Sequence, residues 1–259
     1  MRGKILTSCG ISGKECSASL ELLNANSSVG GICWFYGEDE PEKFKTVYEN
    51  RTTVLVHSSG KKIIGAEHLN AVALTFPNCE FALNAPQGEL PLLDGSAKLW
   101  KEALNAIATP THLNFYVPQR REFEIEIDER YLKYDCDVND VLQIQYAINR
   151  FGQEFYANVQ IKTSDDLEKI FLARTFIFEQ ELQTAKLSEN LRNCGVLLQS
   201  GKKNVLRFEN EPAYHKILDF LGDISIYSNA LPLGKFTILN GGHELHHIAT
   251  GALMAGHES

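Results

Sequence analysis

His215 and Asp219 stand four residues apart in the stretch YHKILDFLGD. On a helix that spacing sends both side chains off one face, so an imidazole nitrogen and a carboxylate oxygen could chelate a hard or borderline cation. Asp223 lies one turn further along the same side. A solvated His–Asp pair worth about 0.2–0.5 kcal/mol has the same spacing, and taken alone the pair favours that plainer reading. Glu67 precedes His68 at the start of AEHLNAVAL. Neighbouring helical positions diverge by about 100°, so a metal-binding His68 would carry Glu67 beside the metal, where a hydrolase base takes a proton from water. The plainer reading is a satisfied histidine at a helix start. His243 follows Gly241-Gly242 at another helix entry, and His246 and His247, a turn later, read as surface residues. Thr175, after Arg174, offers a hydroxyl at the end of an element. Such a group can donate to a developing oxyanion but more often bonds its own backbone. Asp94-Gly95 reads as a turn before a helix.

These residues must be brought together by the elements around them. Cys16, Ala18, Leu20 and Leu22 alternate with period two, as strands do. GGICWFYG and TTVLVHSSGKKIIGA read as further strands, the second turning at Ser-Ser-Gly, and CEFALNA as another. AEHLNAVALTF and KLWKEALNAIA have helical periods. The proline-bearing stretch ATPTHLNFYVPQRRE places a domain boundary near residues 110–121, dividing the chain into 1–112 and 120–259. Beyond it REFEIEID, VLQIQYAI and EFYANVQIK read as strands, and SDDLEKIFLA as a helix capped at Thr163 or Ser164. A helix over ELQTAKLSENLRN, a hairpin over VLLQSGKKNVLRF and helices over EPAYHKILDFLGD and GGHELHHIATGALM complete the order. Strands then helices, twice, argue for an α+β fold.

The 259 residues carry 25 Lys+Arg against 33 Asp+Glu, a net charge of −8, which disfavours non-specific nucleic-acid binding. No apolar run reaches the roughly 18 residues that span a bilayer, and the N-terminal segment lacks the apolar stretch of a signal peptide. Six scattered cysteines without an export signal read as reduced thiols and a cytoplasmic protein. GxGxxG, GxxxxGK[ST], GxSxG and HExxH do not occur, which weakens the case for dinucleotide enzymes, P-loop enzymes, serine hydrolases and zincins.

Five stretches in order, IGAEHLNAV at 64–72, ELPLLDGSA at 89–97, ARTFIF at 173–178, RFENEPAYHKILDFLGD at 207–223 and GGHELH at 241–246, resemble the zinc-dependent UDP-3-O-acyl-N-acetylglucosamine deacetylase family of lipid A biosynthesis. They run over nearly the whole chain, and the resemblance tips the His215/Asp219 pair toward metal binding. It implies zinc on His68, His215 and Asp219, with iron(II) suited to the same set. It makes Glu67 the general base, and His243 a protonated group that stabilises the oxyanion and protonates the leaving amine. Asp223 orients His243, Thr175 donates to the oxyanion, Lys216 binds the anionic part of the substrate and Phe176 packs on the sugar. The implied fold is two α+β domains, each a sheet on two helices, with the active site between them. The implied partner is an acylated UDP-N-acetylglucosamine met by a monomer. This sequence departs from the family in four places. Its N-terminal loop, Gly10-Ile11-Ser12-Gly13, is one residue short and lacks a histidine. The stretch from Arg174 to Arg207, which in the family lines an acyl passage, is shorter and offers Leu182, Leu187, Leu191, Val196, Leu197 and Leu198. The helix reads EHLNA where a second Leu is usual, and His246 stands where Asn is usual. The loop and the short stretch leave two alternatives open: a catalytically silent relative that binds a sugar nucleotide, or an amidase with a shifted substrate.

Overall fold

Period-two alternation becomes strand register in the first half of the chain. The computed structural model describes residues 3–28, 30–37, 45–49, 52–136, 141–182, 194–202, 204–226 and 228–255. Strand β1 (Gly3–Cys9) pairs antiparallel with β2 (Glu15–Asn24), whose Cys16, Ala18 and Leu20 point into the core as their alternation requires. Strand β3 (Gly31–Phe35) forms the far edge of this sheet. Strands β4 (Lys45–Glu49), β5 (Thr52–Val56) and β6 (Lys62–Ile64) form a separate antiparallel sheet. The β5–β6 turn closes at Gly60, whose φ of +82° is the left-handed conformation glycine adopts without strain. Helix α1 (Glu67–Ala73) follows, with all seven residues buried. It stops short of the expected span because its C-terminal turn tightens: Thr75 N–H donates to Val72 and Phe76 N–H to Ala73. Strand β7 (Glu80–Asn84) completes the first sheet in the order β1-β2-β7-β3, and helix α2 (Lys98–Asn105) buries Trp100, Ala103 and Leu104.

The stretch read as a linker carries β8 (Phe115–Tyr116), whose parallel partner comes from residues 231–232. The second half then builds a larger sheet from β9 (Glu122–Ile127), β10 (Arg130–Asp135), β11 (Leu142–Arg150) and β12 (Gln153–Ile161). A tight turn at Ser164–Leu167 leads into the one-turn helix α3 (Glu168–Phe171). The expected cap is present, because Thr163 and Asp166 bond each other's backbone N–H reciprocally. Strand β13 (Phe176–Phe178) pairs in parallel with β14 (Val196–Leu198). The hairpin expected over VLLQSGKKNVLRF is therefore corrected: β14 finds its partner at long range, on the strand that leaves the Thr175 segment. The helix expected over 181–193, with Leu187 and Leu191, lies outside the described residues from 183 onward. Helix α4 (Glu211–Ser225), β15 (Leu231–Pro232), β16 (Gly234–Leu239) and helix α5 (His243–Met254) complete the chain. Strand β16 inserts centrally, giving the order β12-β11-β16-β10-β9, parallel to β11 and antiparallel to β10.

The architecture is α+β. Helix α4 buries twelve of its fifteen residues because it is covered by α1, α3, α5 and the face of β11 and β12. Buried apolar side chains from both halves form one continuous cluster, from Ala18 and Leu20 to Leu245 and Leu253.

Candidate active site

Helix α4 is fixed at its N-terminus before it presents any chemistry. Asn210 takes a left-handed φ of 61° and Pro212 occupies the first turn, where its missing N–H costs nothing. Glu211 is fully buried and accepts from Arg174 Nε at 2.8 Å and Nη2 at 3.0 Å, and from the backbone N–H of Arg174 and Arg207. Burial opposes ionisation of this carboxyl, but the Arg174 and backbone donors outweigh it and hold its pKa below the usual range. The clamp fixes the 173–175 backbone, and the carbonyl of Ala173 accepts His215 Nδ1–H at 3.2 Å. With Nδ1 donating, the lone pair of His215 sits on Nε2.

That nitrogen faces Asp219 and His68. His215 Nε2 and His68 Nε2 each lie 3.4 Å from Asp219 Oδ1, and the two imidazole rings stand 5.0 Å apart at 88°. Ligand atoms held tetrahedrally by metal bonds of about 2.0–2.1 Å are separated by about 3.3–3.4 Å. The three donors therefore fit one divalent cation. His68 reaches this place because α1 crosses α4 at backbone contact: a Cβ on Gly222 would lie 2.0 Å from the carbonyl oxygen of Glu67. Burial pushes the His215 pKa down to about 3, so the ring is neutral and able to ligate. Asp219 is also desolvated, yet His215, Lys216 and His243 keep it well below the ordinary carboxylate range.

Glu67 stands on the other side of this trio. Its Oε1 accepts from Thr52 Oγ1 at 3.4 Å, and its Oε2 is buried without a protein partner. Burial raises its pKa above the ordinary value. His243 opens α5 and turns Nε2 toward Glu67 at 4.0 Å and Asp219 at 3.8 Å. Burial would lower the pKa of His243, but Asp223 and Asp219 overcome it and raise it to about 9. The site thus sets a carboxyl group beside an imidazolium, two groups suited to accepting and donating protons.

Asp223 gathers more partners than its sequence position suggests. Its Oδ2 accepts His243 Nδ1–H and His246 Nδ1–H, both at 2.8 Å, and its Oδ1 accepts Thr53 Oγ1–H at 2.5 Å. His247 Nε2–H donates to Thr53 Oγ1 at 2.9 Å, and Tyr146 OH lies 3.1 Å from His246 Nε2. The reading of His246 and His247 as surface residues is therefore corrected. His246 is fully buried and His247 largely so, because α5 lies on α4 by the face that carries them. Burial lowers both of their pKa values.

Of the remaining expected residues, Lys216 and Phe176 line the approach. Lys216 Nζ donates to Asp219 Oδ2 at 2.8 Å and stands over the Phe176 ring. Phe176 also meets His215 edge-on, at 6.0 Å between centroids. Both border a cleft with Arg130, Arg150, Phe178 and His243. Thr175 is held by its backbone, donating to Gly95 at 2.6 Å and accepting from Val196 at 2.8 Å. In the shortened N-terminal loop, Ser12 N–H and Oγ–H donate to the buried Glu89 carboxylate at 2.7 and 2.6 Å. Asp94 is more than turn chemistry: it caps Ser96 and pairs with Arg207 at 2.8 Å. Thr53, Tyr146 and Glu211 went unsingled in sequence, and His246 was read without a role in the site. A 243/246/250 spacing on α5 was the one signal available, since those residues share a helix face and all three are buried.

Among the described residues no helix is long and apolar enough to cross a membrane. The family model for LpxC, UDP-3-O-acyl N-acetylglycosamine deacetylase, matches residues 7–255. The chain is similar to the UDP-3-O-acyl-N-acetylglucosamine deacetylase of Aquifex aeolicus, at 29% identity over 77% of this chain and 72% of that protein. It is also similar to the Campylobacter concisus protein of that name, at 29% identity over 94% of this chain and 86% of the other. The Helicobacter pylori protein of that name is 25% identical over 91% and 83%.

Proposed function

Because the chain belongs to the UDP-3-O-acyl-N-acetylglucosamine deacetylase family, we propose that it removes the N-acetyl group from UDP-3-O-(3-hydroxyacyl)-N-acetylglucosamine, releasing acetate, as a step of lipid A biosynthesis. The observation that carries this reading is the convergence of Glu67 and His68 from α1, His215 and Asp219 from α4, and His243 from α5 on one buried point. We assign zinc to His68, His215 and Asp219, with iron(II) suited to the same imidazole and carboxylate donors. When bound, the cation supplies Lewis acidity toward the acetamide carbonyl and lowers the pKa of the attacking water.

The chain's own residues divide the proton work. Glu67, ionised, takes a proton from water as its oxygen adds to the carbonyl carbon. His243, charged, donates from Nε2 to the amide nitrogen as the C–N bond breaks, because an amide anion does not leave at neutral pH. Asp223 holds the opposite edge of that ring, so the proton to be given faces the substrate. Thr175 donates to the oxyanion. Lys216 has three donors and commits one to Asp219, which leaves others for the anionic part of the substrate, and Phe176 packs on the sugar.

Two domains, 1–112 and 120–259, with the site at their interface, agree with α1 arising from the first stretch and α4 and α5 from the second. The six free cysteines agree with a reducing compartment, the cytoplasm, and the enzyme is proposed to work as a monomer. A second reading, a silent or substrate-shifted relative, rests on the loop in which Ser12 is tied to Glu89. Acetate release from acylated UDP-N-acetylglucosamine, abolished by a chelator and by Glu67→Gln with metal retained, supports the first reading. Zinc binding without release favours a silent relative, and faster release from the unacylated sugar nucleotide favours a shifted substrate.

A further inference from the structure

We propose that His246, held from behind by Tyr146, is a positioning residue for the general acid: it fixes the Asp223 carboxylate against which His243 is aligned. The proposal rests on the functional reading above and adds a residue to it. Its basis is a chain of hydrogen bonds whose direction is forced. The Asp223 carboxylate can only accept, so His246 Nδ1, 2.8 Å from Oδ2, must carry the hydrogen. The opposite tautomer would set a nitrogen lone pair against that oxygen. In the neutral ring Nε2 is then the acceptor, and the Tyr146 hydroxyl, 3.1 Å away, donates to it. Burial keeps His246 neutral and the Tyr146 phenol protonated, in agreement with that direction.

All members of this chain are buried. Tyr146, His246, Asp223 and Thr53 each show at most 1% exposure, so water does not stand in for a missing donor. Thr53 holds Oδ1, whereas Oδ2 is shared by His246 and His243. A carboxylate held at one oxygen can still rotate about its Cβ–Cγ bond; held at both it cannot. His246 is thus the donor, independent of His243 itself, that holds Oδ2 where His243 Nδ1 meets it and so keeps Nε2 of His243 directed at the site. The Phe220 ring, edge-on at 5.1 Å, limits tilting of His246 itself. Tyr146 projects from β11, so the large sheet of the second half buttresses a proton donor on α5.

The test uses full-length, metal-loaded protein as wild type, His246→Leu, His246→Asn and Tyr146→Phe. Four quantities are read: kcat, KM, bound metal per chain, and the far-downfield proton resonance of His243 Nδ1–H. Leucine removes the donor at similar size, whereas asparagine returns an amide N–H near the place of Nδ1. His246→Leu should lower kcat about tenfold, leave KM and metal content unchanged, and broaden the resonance. His246→Asn should restore most of both, and Tyr146→Phe should fall between. Unchanged kcat and resonance in a folded His246→Leu would overturn the proposal, and so would an Asn variant as impaired as Leu. If leucine prevents folding, Tyr146→Phe and His246→Asn decide by the same two readouts. If the wild type releases no acetate, the functional reading falls, while the resonance still judges whether His246 positions His243.

Discussion

Replacing Gly222 with alanine would set a methyl carbon 2.0 Å from the carbonyl oxygen of Glu67 and 2.6 Å from its carbonyl carbon. Both obstacles are backbone of α1, so no side-chain rotation relieves them. Carbon–oxygen contacts need at least about 3 Å, so α1 must retreat from α4 by roughly 1 Å. Glu67 and His68 travel with α1, while His215 and Asp219 stay on α4. The His68–Asp219 separation, now 3.4 Å, then exceeds what one cation can bridge tetrahedrally. Overpacking of this kind costs about 1–3 kcal/mol of stability, and a misplacement near 1 Å costs about 100-fold in rate. The assay compares melting temperature, metal per chain and kcat/KM for Gly222→Ala with those of Gly251→Ala. Gly251 is an exposed position of α5 where an added Cβ meets nothing within 4 Å. Alanine there should stabilise by up to about 1 kcal/mol and leave activity alone. A Gly222→Ala protein with wild-type metal content and kcat/KM would refute the reasoning, because α1 and α4 would then not be locked through that contact.

Two further outcomes follow from the same geometry. In the proposed mechanism activity requires Glu67 ionised, its pKa raised by burial, and His243 charged, its pKa raised to about 9 by Asp223 and Asp219 despite burial. Hence kcat/KM should rise as pH passes the Glu67 value and fall as it passes the His243 value. A bound dication lowers both values, so the alkaline limb should lie at or below about pH 9; a rate still climbing beyond that pH would contradict the assignment. Glu211→Ala should destabilise by about 3–5 kcal/mol, because it strands the Arg174 guanidinium beside a vacated buried site. It should also weaken metal retention by freeing the Ala173 carbonyl that orients His215; thermal unfolding and metal titration read the two effects, and an unchanged metal affinity would break that link.

Helices with a clear period, α1, α4 and α5, were legible in the sequence, as were β2 and β11, where alternation reports one buried face, and β5, whose run of strand-forming residues is buried without alternating. The resemblance supplied the metal trio and Glu67, and the structure brings those side chains together. Long-range pairing was not legible. Strand β14 joins β13 rather than the residues following it, and β16 enters the middle of the large sheet. Thr53 and Tyr146 sit on strands far from Asp223 in sequence, so no spacing announces that they meet it. His246 and His247 were misread because polarity suggested solvent, whereas a fully satisfied hydrogen-bond network lets a histidine sit inside at little cost.

The claim on which everything else stands is that α1 and α4 together grip a single cation. Anomalous diffraction from crystals of the protein loaded with zinc or cobalt tests it directly. One peak bonded to His68 Nε2, His215 Nε2 and Asp219, and lost in Asp219→Ala, is the expected result. A peak seated instead among Asp223, His243 and His246, or none at full metal loading, would contradict it.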